Sequence, residues 1–205
     1  VNLNTTFDNW GGTTPLIHAV EKGDLTLVQQ FLRHGAEPNR RGWDGEEPLI
    51  KAVKRGHEGM VSLLVEGTGR ISCTRALSLS ADQPNGNIAR SLLDNGVLAD
   101  FDDEDYSTYI YKPFVEEDYL LIPPLVRAVN AGNLEMVQLL VDEYAADTNA
   151  YYQGFMSSKS SRREGSVLQL AIDLGHQDIE HFLRNRGAKE EVRSYFDRLI
   201  SSMQQ

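Results

Sequence analysis

The chain has 205 residues, 40% of them hydrophobic, and a formal net charge of −10. This length suffices for a continuous core, whereas the acidic charge argues against general nucleic-acid binding, which needs Lys and Arg to neutralise phosphates. Apolar runs are only a few residues long, so no membrane span is predicted. The single cysteine, Cys73, excludes an internal disulfide. It fits a reducing compartment, and we expect an intracellular, cytoplasmic protein, with the nucleus as the alternative.

A motif of proline, leucine, alanine and glycine recurs along the chain with fixed internal spacing. Its copies are Pro15–Gly23, Pro48–Gly56, Pro124–Gly132 and, without the proline, Val167–Gly175. Each copy is followed by a second short apolar stripe. The i, i+3, i+4 spacing of these stripes predicts two short helices per unit. A repeat of this length therefore predicts small helical units that stack on one another.

The residues that flank the stripes predict where the helices begin and end. Thr14-Pro15 supplies a hydroxyl cap followed by proline at the first helical position, where a missing N–H costs little. The glycine between the two helices permits a tight turn, and Gly35 before Ala36 predicts a left-handed cap for the second helix.

These residues resemble the ankyrin repeat. Thr14-Pro15-Leu16, Gly23-Asp24 and Gly35-Ala36 match its pattern, and Asn39 falls where the family's asparagine stands. The resemblance covers about residues 8 to 190 in five units, at about 8–40, 41–69, 70–98, 117–149 and 160–190. It implies an all-α solenoid of stacked helix-turn-helix units with β-turn or hairpin fingers, in a single domain over 1–205.

The sequence departs from the family pattern at one repeated position. Two residues after the proline the family usually has histidine, and this chain has other residues there: Ile17, Ile50, Val126 and Gln169. We expect the fold to tolerate this change, because stacked repeats are held mainly by apolar contacts between neighbours.

The third unit is degenerate. Its first-helix slot begins at Ala76, only 28 residues after Pro48, whereas Leu92-Leu93 and Gly96 keep the normal ending. The sequence therefore predicts a repeat that lacks the long finger before it. The alternative is that 70–98 is an irregular connector.

Two insertions interrupt the array, at about 99–122 and 150–165. The first is rich in acidic and aromatic residues, with Tyr109 and Tyr111 in a possible hairpin. It either grips a basic partner, or is a solvated loop whose rings pack back on the repeats, or pairs with Arg162-Arg163 of the second insertion. The acidic run lacks the glycine turn and trailing glutamate of a calcium loop, so we predict no metal site.

Aromatic residues recur at one finger position. Trp10 and Trp43 each precede a unit's proline by five residues, and Tyr119 occupies the same position in the fourth unit. In the family that these residues resemble, finger tips and the exposed side of the first helix form a concave binding face. The three rings are therefore candidate partner anchors, since aromatic residues dominate interface energetics. The alternative is that they staple adjacent fingers together.

The first helices supply the other candidate contact residues. His18, Lys51 and Arg127 are predicted on their exposed side, and Lys51, Lys54 and Arg55 form a small basic patch. The patch either receives an acidic segment or a phosphate, or is an ordinary solvated helix face.

No pattern in the chain indicates catalysis. There are five histidines, and His57 and His176 follow a unit's central glycine, where we expect them to help cap the second helix. A Gly-rich phosphate loop, a nucleophile elbow and a Cys/His cluster are all missing from the sequence. We therefore predict a non-catalytic protein without a cofactor.

The C-terminal segment predicts an amphipathic helix over about 189–203, with apolar residues on one stripe. A terminal repeat needs a polar outer face to stay in solution, so we interpret this helix as a cap. The alternative is that it mediates dimerisation or a link to a further domain.

Together these features predict a monomeric protein-interaction module that binds a protein segment through its concave face and finger tips. The chain starts at Val1 without a methionine, and we expect it to be part of a longer polypeptide. The alternative function is therefore a regulatory or assembly segment of a larger enzyme or channel, with mainly intramolecular contacts. A third is binding of a small anion at the basic patch.

Overall fold

The computed structural model describes residues 2–6, 12–83, 86–100, 122–153 and 164–190. The chain divides into two compact units, of which unit 1 comprises Val1–Ser80 and Asn87–Val97 and unit 2 comprises Ala81–Gly86 and Leu98–Gln205. Ten helices and one two-stranded sheet fall within the described ranges. The prediction of an α-helical chain built from helix-turn-helix pairs is confirmed.

Unit 1 contains three helical hairpins. Their helices are α1 (Pro15–Lys22), α2 (Leu25–Arg33), α3 (Pro48–Arg55), α4 (Glu58–Val65), α5 (Arg70–Ser80) and α6 (Asn87–Asp94). The first helices α1, α3 and α5 pack side by side in one row, and the second helices α2, α4 and α6 pack in another. Only four residues separate α4 from α5, so the third hairpin has no long finger before it.

Unit 2 contains two described hairpins. Their helices are α7 (Pro124–Ala131), α8 (Leu134–Gln138, which continues as a π-helical turn over Leu139–Glu143), α9 (Val167–Leu174) and α10 (Gln177–Asn185). Again α7 packs on α9 and α8 on α10. The second insertion begins and ends in an antiparallel pair, β1 (Tyr151–Gln153) and β2 (Glu164–Ser166), with Tyr152 opposite Gly165.

The predicted helix caps are present. The hydroxyl of Thr14 accepts a hydrogen bond of 3.2 Å from the N–H of Ile17, and Ser166 makes the same bond of 3.1 Å to Gln169 at the start of α9. Proline occupies the first turn of α1, α3 and α7. Each cap satisfies a donor that the helix itself leaves unpaired.

Aliphatic side chains fill the inner face of each first helix. In α1 the buried set is Leu16, Ile17, Ala19 and Val20, and α3 and α7 repeat it in register. Ile17, Ile50 and Val126, where the resemblance leads one to expect histidine, are at most 1% exposed. Each such side chain contributes roughly 1.5 to 3 kcal/mol through burial, so apolar packing replaces a polar contact at this position.

The histidines after the central glycines do not act as predicted. Neither His57 nor His176 makes a side-chain cap bond. Instead each ring packs against the glycine of the hairpin before it: a Cβ on Gly23 would lie 3.2 Å from His57 Cε1, and one on Gly132 would lie 2.8 Å from His176 Cε1. Because these glycines lie in the left-handed region, with φ of 73° and 69°, they end the first helix and leave room for the ring.

A recurrent side-chain bond links the segment before a hairpin to the backbone that follows the same hairpin. The Oδ1 atom of Asn4 accepts from the N–H of Glu37 at 2.8 Å. In unit 2, Asn149 Oδ1 accepts from the N–H of Lys189 at 3.1 Å, and the Asp100 carboxylate accepts from the N–H of Asp147 at 2.9 Å. Each of these bonds satisfies a backbone donor that lies beyond the end of a hairpin.

Candidate functional site

The best-defined candidate contact surface is the Trp43 finger, which we define as residues 41–47 between α2 and α3. The N–H of Gly42 donates to the carbonyl of Glu46 at 2.9 Å, and the N–H of Gly45 donates to the carbonyl of Gly42 at 3.0 Å. The side chain of Asp44 adds a third bond, because its Oδ1 accepts from the N–H of Glu46 at 3.1 Å. These bonds close the finger into a tight turn.

Trp43 lies on this turn with most of its ring in solvent. It is 75% exposed, more than any other large hydrophobic residue among those described. The base of the side chain lies close to the preceding finger, since a Cβ on Gly12 would be 3.0 Å from Trp43 Cβ. Aromatic residues are enriched among the anchors of protein interfaces, so this exposed ring is a candidate contact.

Lys51 lies beneath the finger in a group of carboxylates. Its Nζ atom lies 3.3 Å from Glu21 Oε1 and 3.5 Å from Glu46 Oε2, and it also donates to Asp44. Its side chain is only 13% exposed. The prediction that Lys51 is exposed to solvent is therefore wrong, because acidic groups from α1 and from the finger enclose it.

The charges of this group stabilise one another. Burial alone lowers the pKa of Lys51, but the hydrogen bond and charge of Asp44, assisted by Glu21, outweigh it and raise that pKa. Burial likewise opposes ionisation of Asp44, but the bond to Lys51 and the N–H of Glu46 hold the pKa of Asp44 below its ordinary value. Both groups therefore stay charged at neutral pH.

The remaining members of the predicted basic patch are partly neutralised. Lys54 Nζ lies 2.6 Å from Glu46 Oε1, and Arg55 Nη1 donates to the backbone carbonyl of Glu21 at 3.3 Å. Their side chains are 35% and 53% exposed. Of the three cations in the predicted patch, Lys54 and Arg55 are therefore partly exposed. Lys51 lies below them, and acidic side chains neutralise its charge.

The other first-helix candidates are less exposed than predicted. Arg127 Nη1 lies 2.5 Å from Asp82 Oδ2, and the Arg127 side chain is only 15% exposed. His18 is half-buried on α1. The prediction of free exposure is wrong for Arg127, because the turn after α5 brings an acidic partner to it.

Several predicted features lie outside the described residues. These are the aromatic candidates Trp10, Tyr109, Tyr111 and Tyr119, the hairpin proposed within the first insertion, the basic tip Arg162-Arg163, and the capping helix beyond residue 190. They remain predictions.

Sequence reasoning missed the acidic side of the network. Asp44 and Glu46 precede Lys51 by seven and five residues, and Glu21 comes from the preceding hairpin. Arg75 of α5 also approaches Glu46, at 3.7 Å. The run of acids directly before α3 was a usable signal, since a basic helix face beside it favours ion pairing.

The described residues offer little for metal or thiol chemistry. Within the described ranges, no group of three or more His, Cys, Asp or Glu is arranged to hold a metal ion. Burial, with a smaller effect from the charge of Glu47, raises the pKa of the Cys73 thiol to about 11, so this thiol stays protonated and unreactive at neutral pH. None of the helices in those ranges has the length and hydropathy needed to cross a bilayer.

The hairpins and their projecting finger define a helical-repeat protein. A family model described as ankyrin repeats in three copies matches residues 16–105, and a model of the single ankyrin repeat matches residues 123–151. A search of curated proteins found no significant match. The chain belongs to the ankyrin-repeat family, whose members generally act as protein–protein interaction modules and are typically non-catalytic. The hairpin of α9 and α10 lies beyond both matched ranges.

Proposed function

We propose that this chain binds a segment of another protein through its finger tips and first helices, with Trp43 as the main described anchor. The observation that carries the proposal is the 75% exposure of Trp43 on a finger closed by three hydrogen bonds. An ordered, exposed aromatic ring offers a large contact area at low entropic cost.

Neighbouring groups support a contact surface around the ring. Lys54 and Arg55 are partly exposed on α3 directly after the finger, and they offer donors to a partner's carboxylates or carbonyls. We place His18 and Arg127 at secondary positions, because both are partly covered. Trp10, Tyr119, Tyr109 and Tyr111 complete the proposed set from sequence alone.

A photo-crosslinking amino acid at position 43 tests the proposal in the full chain. We expect the probe at Trp43 to trap a separate protein, whereas the same probe at Leu25, another exposed apolar residue of unit 1, traps none. If the probe at position 43 reacts only with the chain's own polypeptide, the proposal fails and the regulatory-segment function is favoured.

The trapped protein then allows a quantitative test. Trp43→Ala is expected to weaken its binding about 30-fold, the loss typical of a hot spot of at least 2 kcal/mol. Leu25→Ala serves as the matched control and is expected to stay within about twofold of the unmodified chain. Equal affinities for the two variants in calorimetry would contradict the anchor assignment.

A further inference from the structure

We propose that Lys51 is a positioning residue, which fixes the Trp43 finger from below and does not itself contact the partner. This inference rests on the proposed function, because it gives Lys51 a role in presenting the Trp43 ring. It replaces the sequence-based interpretation of Lys51 as part of an exposed cationic patch.

The first argument is connectivity. Lys51 projects from α3, whose inner face is fixed in the core by Leu49, Ile50, Ala52 and Val53. Its Nζ reaches the finger through Asp44 and Glu46 and reaches α1 through Glu21. A single ammonium group thus ties a solvent-facing turn to two helices of the core.

The second argument concerns the atoms of the finger. Asp44 uses Oδ1 to accept from the N–H of Glu46 inside the turn and Oδ2 to bind Lys51 below it. The same carboxylate therefore shapes the turn and anchors it. Asp44 directly follows Trp43 in the chain, so the bonds of this carboxylate restrain the backbone next to the ring.

The third argument is access. The Lys51 side chain is 13% exposed, and the carboxylate of Glu46 that covers it also binds Lys54 and approaches Arg75. A partner's acidic group would have to displace these carboxylates to reach the ammonium. The exposed Trp43 ring and the enclosed Lys51 ammonium therefore have separate roles. The ring contacts the partner, and the ammonium holds the finger in place.

Backbone amide exchange in the full chain tests this role without a partner. We expect Lys51→Met to speed the exchange of the N–H groups of Gly42, Gly45 and Glu46 about tenfold. Arg55→Met is the matched control, because Arg55 lies four residues away on the same helix and its described contacts are to Glu21 of α1 and not to the finger. It is expected to leave these rates within about twofold.

A double-mutant cycle separates positioning from general stability. Asp44→Asn and Lys51→Met are expected to accelerate exchange at Glu46 to a similar extent, and the double variant no further, because both break one link. The proposal is overturned if Lys51→Met leaves the finger unchanged. It is also overturned if exchange rises equally at the α1 amides, such as His18, whose N–H donates to Thr14.

Affinity measurements connect this result to binding. With the protein trapped at position 43, Lys51→Met is expected to weaken binding about threefold to tenfold, and to have no further effect when Trp43 is already alanine. Full additivity of the two changes would overturn the positioning role in binding. If Trp43→Ala alone leaves the affinity unchanged, the proposed function fails. The exchange rates would still show independently whether Lys51 holds the finger.

Discussion

Units 1 and 2 are built from the same helical hairpin, but they carry their charges differently. Unit 1 contains ten of the 20 basic and ten of the 30 acidic residues, so ten basic and 20 acidic residues remain for unit 2. Unit 1 is thus formally neutral, and the whole charge of −10 belongs to unit 2. The comparison shows that one backbone scaffold can present two electrostatically distinct surfaces.

One ion-pair group of each unit illustrates a difference in burial. In unit 1, Lys51 and its carboxylates are largely withdrawn from solvent. In unit 2, Arg186 binds both oxygens of Asp142 at 2.7 and 2.8 Å on the surface, with its guanidinium 4.8 Å from the centre of the Phe182 ring. We therefore expect ionic strength to weaken the Arg186–Asp142 pair more than the ion pairs of Lys51 beneath the Trp43 finger.

The largest expected effect tests what the two units share. Gly132→Ala combines a left-handed alanine, which costs about 1 to 2 kcal/mol, with a clash against His176 that adds about 1 to 3 kcal/mol. Gly175→Ala is the matched control, because Gly175 has a φ of 74° but a Cβ there would meet nothing within 4 Å. Urea unfolding is expected to show the larger loss for Gly132.

Unit 1 offers the same pair of variants. A Cβ on Gly23 would lie 3.2 Å from Cε1 of the His57 ring, whereas a Cβ on Gly56 would meet nothing within 4 Å. We expect Gly23→Ala to lower the free energy of unfolding more than Gly56→Ala does, but by less than Gly132→Ala. Equal decreases in the free energy of unfolding at all four glycines would show that the histidine rings move aside easily. The packing of these rings on Gly23 and Gly132 would then contribute little to stability.

The next effect tests how the units differ. Lys51→Met removes the cation that three partly buried carboxylates share, although Lys54 still pairs with Glu46, and it is expected to lower the free energy of unfolding by about 1 kcal/mol. Arg186→Met removes a surface pair, and we expect a smaller decrease. Thermal melts at low and high salt check both expectations. High salt should abolish the decrease in melting temperature caused by Arg186→Met and leave most of the decrease caused by Lys51→Met. If salt abolished the effect of Lys51→Met and not that of Arg186→Met, the assignment of the Lys51 pairs as buried and the Arg186 pair as exposed would be contradicted.

The smallest effect concerns Asp100. Burial, together with the charge of Asp147, raises the pKa of Asp100, although the N–H of Asp147 opposes this rise. A raised pKa means that ionised Asp100 costs stability, and this cost grows as the pH rises from the unfolded-state pKa of about 3.9 through the folded-state value. Acidification of the medium therefore favours the folded state at this site.

Asp100→Asn is expected to remove the free-energy cost of the ionised carboxylate and to keep the hydrogen bond from the N–H of Asp147. Asn4 and Asn149 accept equivalent bonds in their own hairpins. We expect melting to occur about 1 to 3 °C higher at pH 7, with the gain vanishing below pH 4. A gain of the same size at both pH values would mean that ionisation of Asp100 is not its source.

Much of the fold could be predicted from the sequence because its signals are local. The cap at Thr14, the proline at the start of α1 and the glycine at its end act within one or two turns of helix. Other features gave no clear local signal. The π-helical turn that ends at Glu143 is one, and the left-handed Ala145, with φ of 55° where three other hairpins have glycine, is another.

The candidate site was less predictable. Trp43 was identified by its position in the repeat, and the structure places it in solvent. Lys51 and Arg127 were assigned to the exposed surface by helical position alone, and both are covered by acidic side chains. Helical position gives the direction of a side chain from its own helix, but it does not give what a neighbouring segment places opposite.

The sequence by itself determined the repeat, because the apolar stripes, caps and turns that build each hairpin are encoded within about 33 residues. Only the tertiary structure decided the surroundings of Lys51. Its carboxylate partners lie on the finger and on α1, as far as 30 residues away along the chain, and packing of α1 against α3 brings them together. The physical reason is that ion pairing depends on distance and burial in space, which local sequence spacing does not specify.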